Sequence, residues 1–249
     1  MNADHPIDGL RQAAAMVATA ERVAVLTGAG ISAESGLPTF RGAGGLWEGQ
    51  RVEDVATPMA FQRDPGLVWR FYNTRRTALQ KVQPNPGHHA LVQLEKRFGE
   101  DRFTLITQNV DGLHRTAGNK RVLELHGSLA RVRCTGCGVI EDRGQQDLPE
   151  LPKCDACGEL LRPDIVWFHE MLPQDIWMQA AVMARACQCF LVIGTSCVVY
   201  PAAGLVQISR KGGAKIIEIN VERTAASDLA DVSLFGPSGD ILPRLLELM

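Results

Sequence analysis

No sign of charge predominates along this chain: 26 basic and 28 acidic side chains are interspersed, for a formal net charge of −2. That balance lacks the electrostatic footprint with which proteins hold nucleic acid or anionic membranes nonspecifically, so neither direct nucleic-acid binding nor a membrane partner is expected. Long apolar runs are missing too. The first 20 residues scatter their apolar positions among Asp4, Asp8 and Arg11, unlike the unbroken core of a signal peptide. No later stretch reaches bilayer length. Cysteine is scarce and odd in number, seven residues, of which four form two CxxC pairs. That pattern points to metal ligation in a reducing compartment rather than to a disulfide framework. Internal repeats and low-complexity segments are absent. A cytoplasmic chain that recognises its partners locally is the expectation.

With 249 residues, 45% of them hydrophobic, the chain can build one large domain carrying insertions. Short apolar, β-branched runs at 23–27, 103–107, 122–125, 190–193, 215–219 and 232–235 read as strands. Segments with helical periodicity lie among them at 8–19, 65–82, 88–98, 174–187, 202–211 and 239–248. The alternation predicts an α/β, Rossmann-like, doubly wound, mainly parallel sheet. Two stretches break it. Residues 36–87 hold no clear strand, and 127–163 are rich in Cys, Gly and charge. The expected division is a large lobe from 1–35, 88–126 and 164–249, with a smaller lobe from a helical and cofactor-loop insertion (36–87) and a zinc-binding insertion (127–163). A ligand then belongs in the crevice at the strand ends.

The first strand runs into Gly28-Ala29-Gly30-Ile31-Ser32-Ala33, a GxGxxA pattern whose small residues allow backbone N–H groups to approach a pyrophosphate. A structural Gly-rich turn would look similar. A redox dinucleotide domain would reach its second strand, with an acidic residue, within about 30 residues. This chain instead continues into a Gly- and Pro-punctuated loop with a candidate lid aromatic, Trp47.

The strand at 103–107 ends in Gln108-Asn109-Val110-Asp111, amides and a carboxylate where such folds gather ligand contacts, although an Asx-type turn is the plainer reading. His126 follows the next strand and suits proton transfer near neutral pH, or else is structural. Gly194-Thr195-Ser196 and Asn220-Val221-Glu222 end two further strands and suit adenosine and ribose contacts. Cys134-Thr-Gly-Cys137 and Cys154-Asp-Ala-Cys157, 16 residues apart, fit one tetrahedral zinc with no open position, hence a structural metal; a disulfide or redox role is the alternative. Tyr72 and Arg75, at i and i+3 on a helical stretch, can share one face and meet a carboxylate, unless this is an exposed basic helix with Tyr72 partly in the core.

The motifs GAGIS (28–32), Thr39-Phe40-Arg41, Gln108 to Asp111, Leu125-His126-Gly127, the two CxxC pairs, Gly194-Thr195-Ser196 and Asn220 resemble, in order, those of the sirtuins, over about 23–243. The resemblance implies a protein deacylase that consumes NAD, with acylated lysine in protein substrates as its partner. It implies that Thr39, Phe40 and Arg41 help position NAD, that Asn109 and Asp111 hold ribose and nicotinamide, and that His126 is the general base. Asn109 and His126 are thus the expected catalytic pair. The acyl oxygen would attack the anomeric carbon as nicotinamide leaves, the 2′ oxygen, its proton taken by His126, would attack the resulting amidate, and water would then release free lysine and an acylated ADP-ribose. Ser238 is carried over as an adenine-side contact. Tyr72 and Arg75 resemble the Tyr-x-x-Arg of sirtuins that remove succinyl, malonyl and glutaryl groups, and the small Ala43 fits the same class. Val166, Trp167 and Phe168 are expected to pair with an extended substrate by strand addition. His169 departs from the family, which usually has Gly there. Protein ADP-ribosylation and a noncatalytic NAD or zinc-ribbon regulator are the competing functions.

Overall fold

The computed structural model describes residues 6–39, 46–47 and 50–249. Helix α1 (Pro6–Thr19) precedes β1 (Val23–Thr27) and the single turn α2 (Gly30–Ala33). A two-residue ribbon, β2 (Leu46–Trp47) and β3 (Gln50–Arg51), leads to α3 (Val52–Val55), α4 (Pro58–Arg63), α5 (Pro65–Leu79) and α6 (Pro86–Phe98). Then follow β4 (Phe103–Thr107), α7 (Leu113–Ala117), β5 (Val122–Glu124), β6 (Gly127–Cys134), β7 (Ile140–Asp142) and β8 (Leu161–Ile165). The chain finishes with α8 (Gln174–Ala186), β9 (Cys189–Ile193), α9 (Gly204–Lys211), β10 (Lys215–Asn220), β11 (Val232–Phe235) and α10 (Ser238–Glu247).

Six of these strands form one sheet in the order β11-β10-β9-β1-β4-β5, with every pairing parallel. All five residues of β1, β4 and β9 are buried, as the near-continuous apolar runs of a two-sided parallel sheet require. Alternate side chains serve opposite faces: Val25, Leu105 and Leu191 pack with α1, α6 and α10, whereas Leu26, Ile106 and Val192 pack with α8 and α9. The doubly wound expectation holds. The strand order reverses about β1, since β4 and β5 extend the sheet one way and β9, β10 and β11 the other. Register makes the reversal useful. Thr27 lies level with Thr107 and with Ile193, and Ile193 with Ile219, so Gly28, Gln108, Gly194 and Asn220 leave the sheet side by side.

Helices α4, α5 and α6 each begin on a capping side chain followed by proline. Thr57, Asp64 and Asn85 accept hydrogen bonds from the first-turn amides of α4, α5 and α6, and Pro58, Pro65 and Pro86 take the first helical position. Helix α4 was not among the expected helices, although Thr-Pro is its signal. A third core joins α4 and α5 to the antiparallel sheet β7-β6-β8. Trp69 Nε1 donates to Leu161 O at 2.8 Å, and the buried Arg76 guanidinium donates to Leu129 O and to Gln146 O. No helix among the described residues is long and apolar enough to cross a membrane.

Candidate active site

The loop after β1 and the loop after β9 meet backbone to backbone. Gly28 N donates to Ile193 O at 3.0 Å and Gly30 N to Gly194 O at 2.8 Å. A Cβ on Gly28 would fall 2.6 Å from Thr195 Cβ, and one on Gly30 would fall 2.7 Å from Gly194 Cα. Gly194 itself has φ +59°. These glycines therefore allow two strand ends to touch, a requirement that precedes any approach to phosphate.

Beside this contact Asn109 is buried and tied on three sides. Its N–H donates to Thr107 Oγ1 at 3.0 Å, and its Nδ2 donates to Gly28 O at 3.1 Å and Ser32 Oγ at 3.2 Å. Ser32 Oγ in turn donates to Asp111 Oδ2 at 2.8 Å, while Asp111 Oδ1 accepts from Leu113 N. Burial pushes the Asp111 carboxyl above its ordinary range, opposed by these hydrogen bonds and by the Arg75 charge. The expected Asx turn is made by Asp111, two residues beyond Asn109.

His126 stands between β5 and β6, with its backbone held by Val166 N, which donates to its carbonyl at 3.0 Å. Its Nδ1 lies 3.0 Å from Gln108 O. A carbonyl only accepts, so Nδ1 carries the hydrogen and the lone pair of the neutral ring sits on Nε2. Burial lowers the pKa of this ring below the usual histidine value, with the Gln108 bond pulling the other way. The result is a neutral imidazole with one defined basic nitrogen.

Toward the far end of the row, Gln108 Nε2 donates to Thr195 Oγ1 at 2.9 Å and Asn220 Nδ2 to Thr195 O at 3.1 Å. Ser196 is half-buried, and Val221 and Glu222 are exposed. Ser238 is buried, and its hydroxyl donates to Glu34 Oε1 at 3.0 Å, with Gly239 N donating to the same oxygen. Its side chain is thus engaged in holding the start of α10. Thr39 is exposed. Phe40, Arg41 and Ala43 lie outside the described residues, as does the side chain of Trp47.

Tyr72 is fully buried, and its phenol oxygen accepts from Trp167 Nε1 at 2.9 Å. Burial raises the phenol pKa, which keeps it protonated. The Arg75 guanidinium sits over the Phe71 ring, 5.5 Å from its centroid. Trp167 is itself clamped: Arg162 lies 3.5 Å above its ring, and Arg162 pairs through both terminal nitrogens with Glu170, whose Oε2 also accepts from Trp167 N. Sequence reading placed Trp167 against substrate and passed over Arg162 and Glu170. The structure places Trp167 behind Tyr72, and the available signal was Glu170 three residues beyond Trp167.

The three amides expected to pair with substrate are already engaged, Val166 N with His126 O, Trp167 N with Glu170 and Phe168 N with Ala56 O. His169 is exposed with φ +70°, the left-handed region that glycine enters without penalty. The departure from the family's usual Gly thus falls on a backbone requirement of the turn.

The four sulfurs of Cys134, Cys137, Cys154 and Cys157 lie within 4.8 Å of one another, with Cys134 to Cys157 at 3.4 Å and Cys137 to Cys154 at 3.7 Å. A zinc at about 2.3 Å from each thiolate needs edges of about 3.8 Å, so the set is positioned to bind one ion and leaves no ligand position open. The two halves repeat one turn: Gly138 N donates to Cys134 O and Gly158 N to Cys154 O, each glycine at positive φ. Cys187, Cys189 and Cys197 are buried, and burial pushes the Cys187 and Cys197 thiols up to about 12 and about 11; they are packing residues.

A reversal point in a parallel sheet, lined by amides, a carboxylate and a tautomer-fixed histidine and flanked by four clustered cysteines, is where a doubly wound α/β fold holds a nucleotide. Residues 28–201 match the Sir2 family model. The chain is 51% identical over 234 residues to NAD-dependent protein deacylase 2 of Pyrobaculum aerophilum, covering 93% of this chain and 92% of that one. It superposes on a Sir2 homologue solved in complex with NAD (TM-score 0.88, 44% identity, 95% and 93% coverage). It also superposes on a Sir2 protein solved with an acetylated peptide (TM-score 0.84, 31% identity, 96% and 97% coverage). The chain belongs to the Sir2 family.

Proposed function

We infer that this protein is an NAD-dependent protein-lysine deacylase whose pocket favours acyl groups ending in a carboxylate. The observation that carries the first half is the His126 tautomer, with Nδ1–H held by Gln108 O and Nε2 left basic at the strand ends that also present Asn109 and Asp111. NAD when bound would supply a ribose carbon made electrophilic by the departure of nicotinamide. Residues 28–33, Thr39, Gln108 to Asp111 and, at the adenosine end, Gly194 to Ser196, Asn220 to Glu222 and Ser238 are the groups that would hold it, with Phe40 and Arg41 assigned to NAD positioning by the family pattern and Trp47 a candidate lid aromatic. Asn109 and Asp111 orient the ribose and carboxamide, and His126 Nε2 takes a proton from a ribose hydroxyl.

The acyl preference rests on Tyr72 and Arg75. A phenol kept protonated by burial and a guanidinium on the same helical face offer a neutral donor and a charge-assisted donor to a succinyl or malonyl carboxylate, and Ala43 would leave room for the longer chain. Acetyl-lysine would fit less well, since it brings no carboxylate to Arg75. A peptide strand added along 166–168 would pair through carbonyl oxygens rather than amides, since the three amides are engaged, although Trp167 O already accepts from Glu170 N. Free cysteines and a thiolate metal site suit a reducing, cytoplasmic setting.

A product-resolved acyl panel tests both halves. With NAD and succinyl-, malonyl- or acetyl-lysine peptides, mass spectrometry should find nicotinamide and O-acyl-ADP-ribose, with succinyl and malonyl turned over faster. Arg75→Met should cut succinyl kcat/KM about 10- to 100-fold, as loss of a charge-assisted bond implies, and leave acetyl turnover nearly unchanged. Equal or better acetyl turnover by the unaltered protein would remove the carboxylate preference. ADP-ribosylated protein without acyl-ADP-ribose would replace deacylation by transfer to a protein nucleophile.

A further inference from the structure

Directly beneath the reacting row lies a buried histidine pair that no role described so far uses. His88 and His114 are 0% and 2% exposed, and their ring centroids are 4.8 Å apart at a 53° tilt. Each ring has one nitrogen in a protein hydrogen bond. His88 Nδ1 accepts from Asn85 N at 3.3 Å, completing the cap of α6. His114 Nε2 lies 2.9 Å from Thr27 Oγ1. The other two nitrogens, His88 Nε2 and His114 Nδ1, are buried without a protein partner.

Burial lowers the His88 pKa to about 4 and that of His114 to about 3. Both rings are therefore neutral at physiological pH, and each owns one donor and one acceptor. Because an amide N–H can only donate, His88 accepts at Nδ1 and must carry its hydrogen on Nε2. Were His114 to carry its hydrogen on Nδ1, His88 Nε2 and His114 Nδ1 would both be donors on rings 4.8 Å apart and could not pair with each other. With the hydrogen on His114 Nε2, one orphan is a donor and the other an acceptor, the pairing that a one-water bridge between the rings needs. His114 Nε2 then donates to Thr27 Oγ1, leaving the Thr27 hydroxyl to donate to Thr107 Oγ1 at 2.8 Å, which also receives Asn109 N.

We propose that His88 and His114 are positioning residues, a pair of fixed tautomers that orders hydrogen bonds from Asn85 through Thr27 and Thr107 to Asn109 and so holds the NAD site in one geometry. Both ends of the relay belong to that site. At one end Asn85 Nδ2 donates to Ile31 O at 2.7 Å and Ser35 Oγ at 3.0 Å, fixing the turn after the glycine loop. At the other, Asn109 holds Gly28 O and Ser32 Oγ. Both strands that carry the relay end in threonine at level register, Thr27 opposite Thr107, which gives two hydroxyls a common height under the loops. The functional part of this inference rests on the reading of Asn109 as an NAD contact; the tautomer part does not.

Two measurements test it on the full-length, zinc-loaded protein. Long-range ¹⁵N NMR of ¹⁵N-histidine protein should show both His88 and His114 as Nε2–H tautomers; a His114 hydrogen on Nδ1, or a fast-exchanging mixture, overturns the relay. Steady-state kinetics of His114→Phe should raise KM for NAD about tenfold or more, while KM for the acyl peptide stays within about twofold. His114→Gln, whose amide N–H reaches the Nε2 position, should recover most of that loss. Equal defects in both variants, or equal shifts for NAD and peptide, would reduce the pair to a packing element. If His114→Phe fails to fold, Thr27→Val carries the same kinetic test at isosteric volume. Absence of NAD-dependent turnover in the unaltered protein would fail the functional reading, while the NMR result would still decide the tautomers.

Discussion

The row of strand ends on the large sheet and the small antiparallel sheet beside it are held together by opposite means. At the strand ends, order comes from close backbone approach, Gly28 and Gly30 against Gly194 and Thr195, and from neutral hydrogen bonds among Thr27, Thr107, Asn109 and Ser32. In the small sheet, order comes from charge: four sulfurs around one ion site, Asp164 between Arg131 and Arg133, and the Arg76 guanidinium spanning to Leu129 and Gln146. The strands β1, β4 and β9, covered on both faces, carry no charged side chain, whereas a short three-stranded sheet has too little apolar area to stabilise itself without a cross-link. His126, the base in the proposed reaction, sits where the two regimes meet, with the last residue of β5 two positions before it and the first of β6 directly after it.

Removing the metal tests this contrast most severely. Structural zinc in small modules binds with about 10–16 kcal/mol of apparent free energy, so a strong chelator should strip hydrogen-exchange protection from 127–165 while β1, β4 and β9 stay protected. Loss of protection in both regions at once would show that the two are one cooperative unit. A smaller effect is expected from Gly194→Ala. The added methyl would overlap Ile31 N and the residue would be strained at φ +59°, which together should cost about 3 kcal/mol. Thermal unfolding should show that loss, and NAD affinity should fall with it, whereas zinc content should not change. Unaltered NAD affinity would show that the two loops do not need their contact.

The mildest test is pH. Burial favours the neutral form of His126 and so lowers its pKa. The basic Nε2 is present above that pKa and lost below it, so kcat/KM should stay level as pH falls through about 6.5, the ordinary value, and decline only at lower pH. An acidic limb centred at or above 6.5 would contradict the buried-base reading.

Most of the frame was legible in the sequence. Runs such as 23–27 and 103–107 announce buried parallel strands because nothing polar interrupts them, and the paired CxxC spacing announces a thiolate site because two such turns suit little else. The one-turn and two-turn helices α2, α3, α4 and α7 were passed over, since four to six residues carry too little periodicity to register. Within the site, the motif residues Asn109, Asp111 and His126 stood out by position at strand ends. Their supports did not. Thr27, Thr107, His88 and His114 look like ordinary core positions until register brings them together, and Arg162 and Glu170 look like surface charges until both close on Trp167.

Residue order alone therefore determined the fold class, the metal-binding cysteines and the family, because each depends on local patterns of apolarity and spacing. Tertiary structure alone decided which nitrogen of His126 is basic, why Gly28, Gly30 and Gly194 must be small, and why the left-handed turn at His169 favours a glycine. Those properties depend on an acceptor, a backbone or a dihedral angle contributed by chain 18 to 167 residues away or by the closure of a loop, and no local pattern records them.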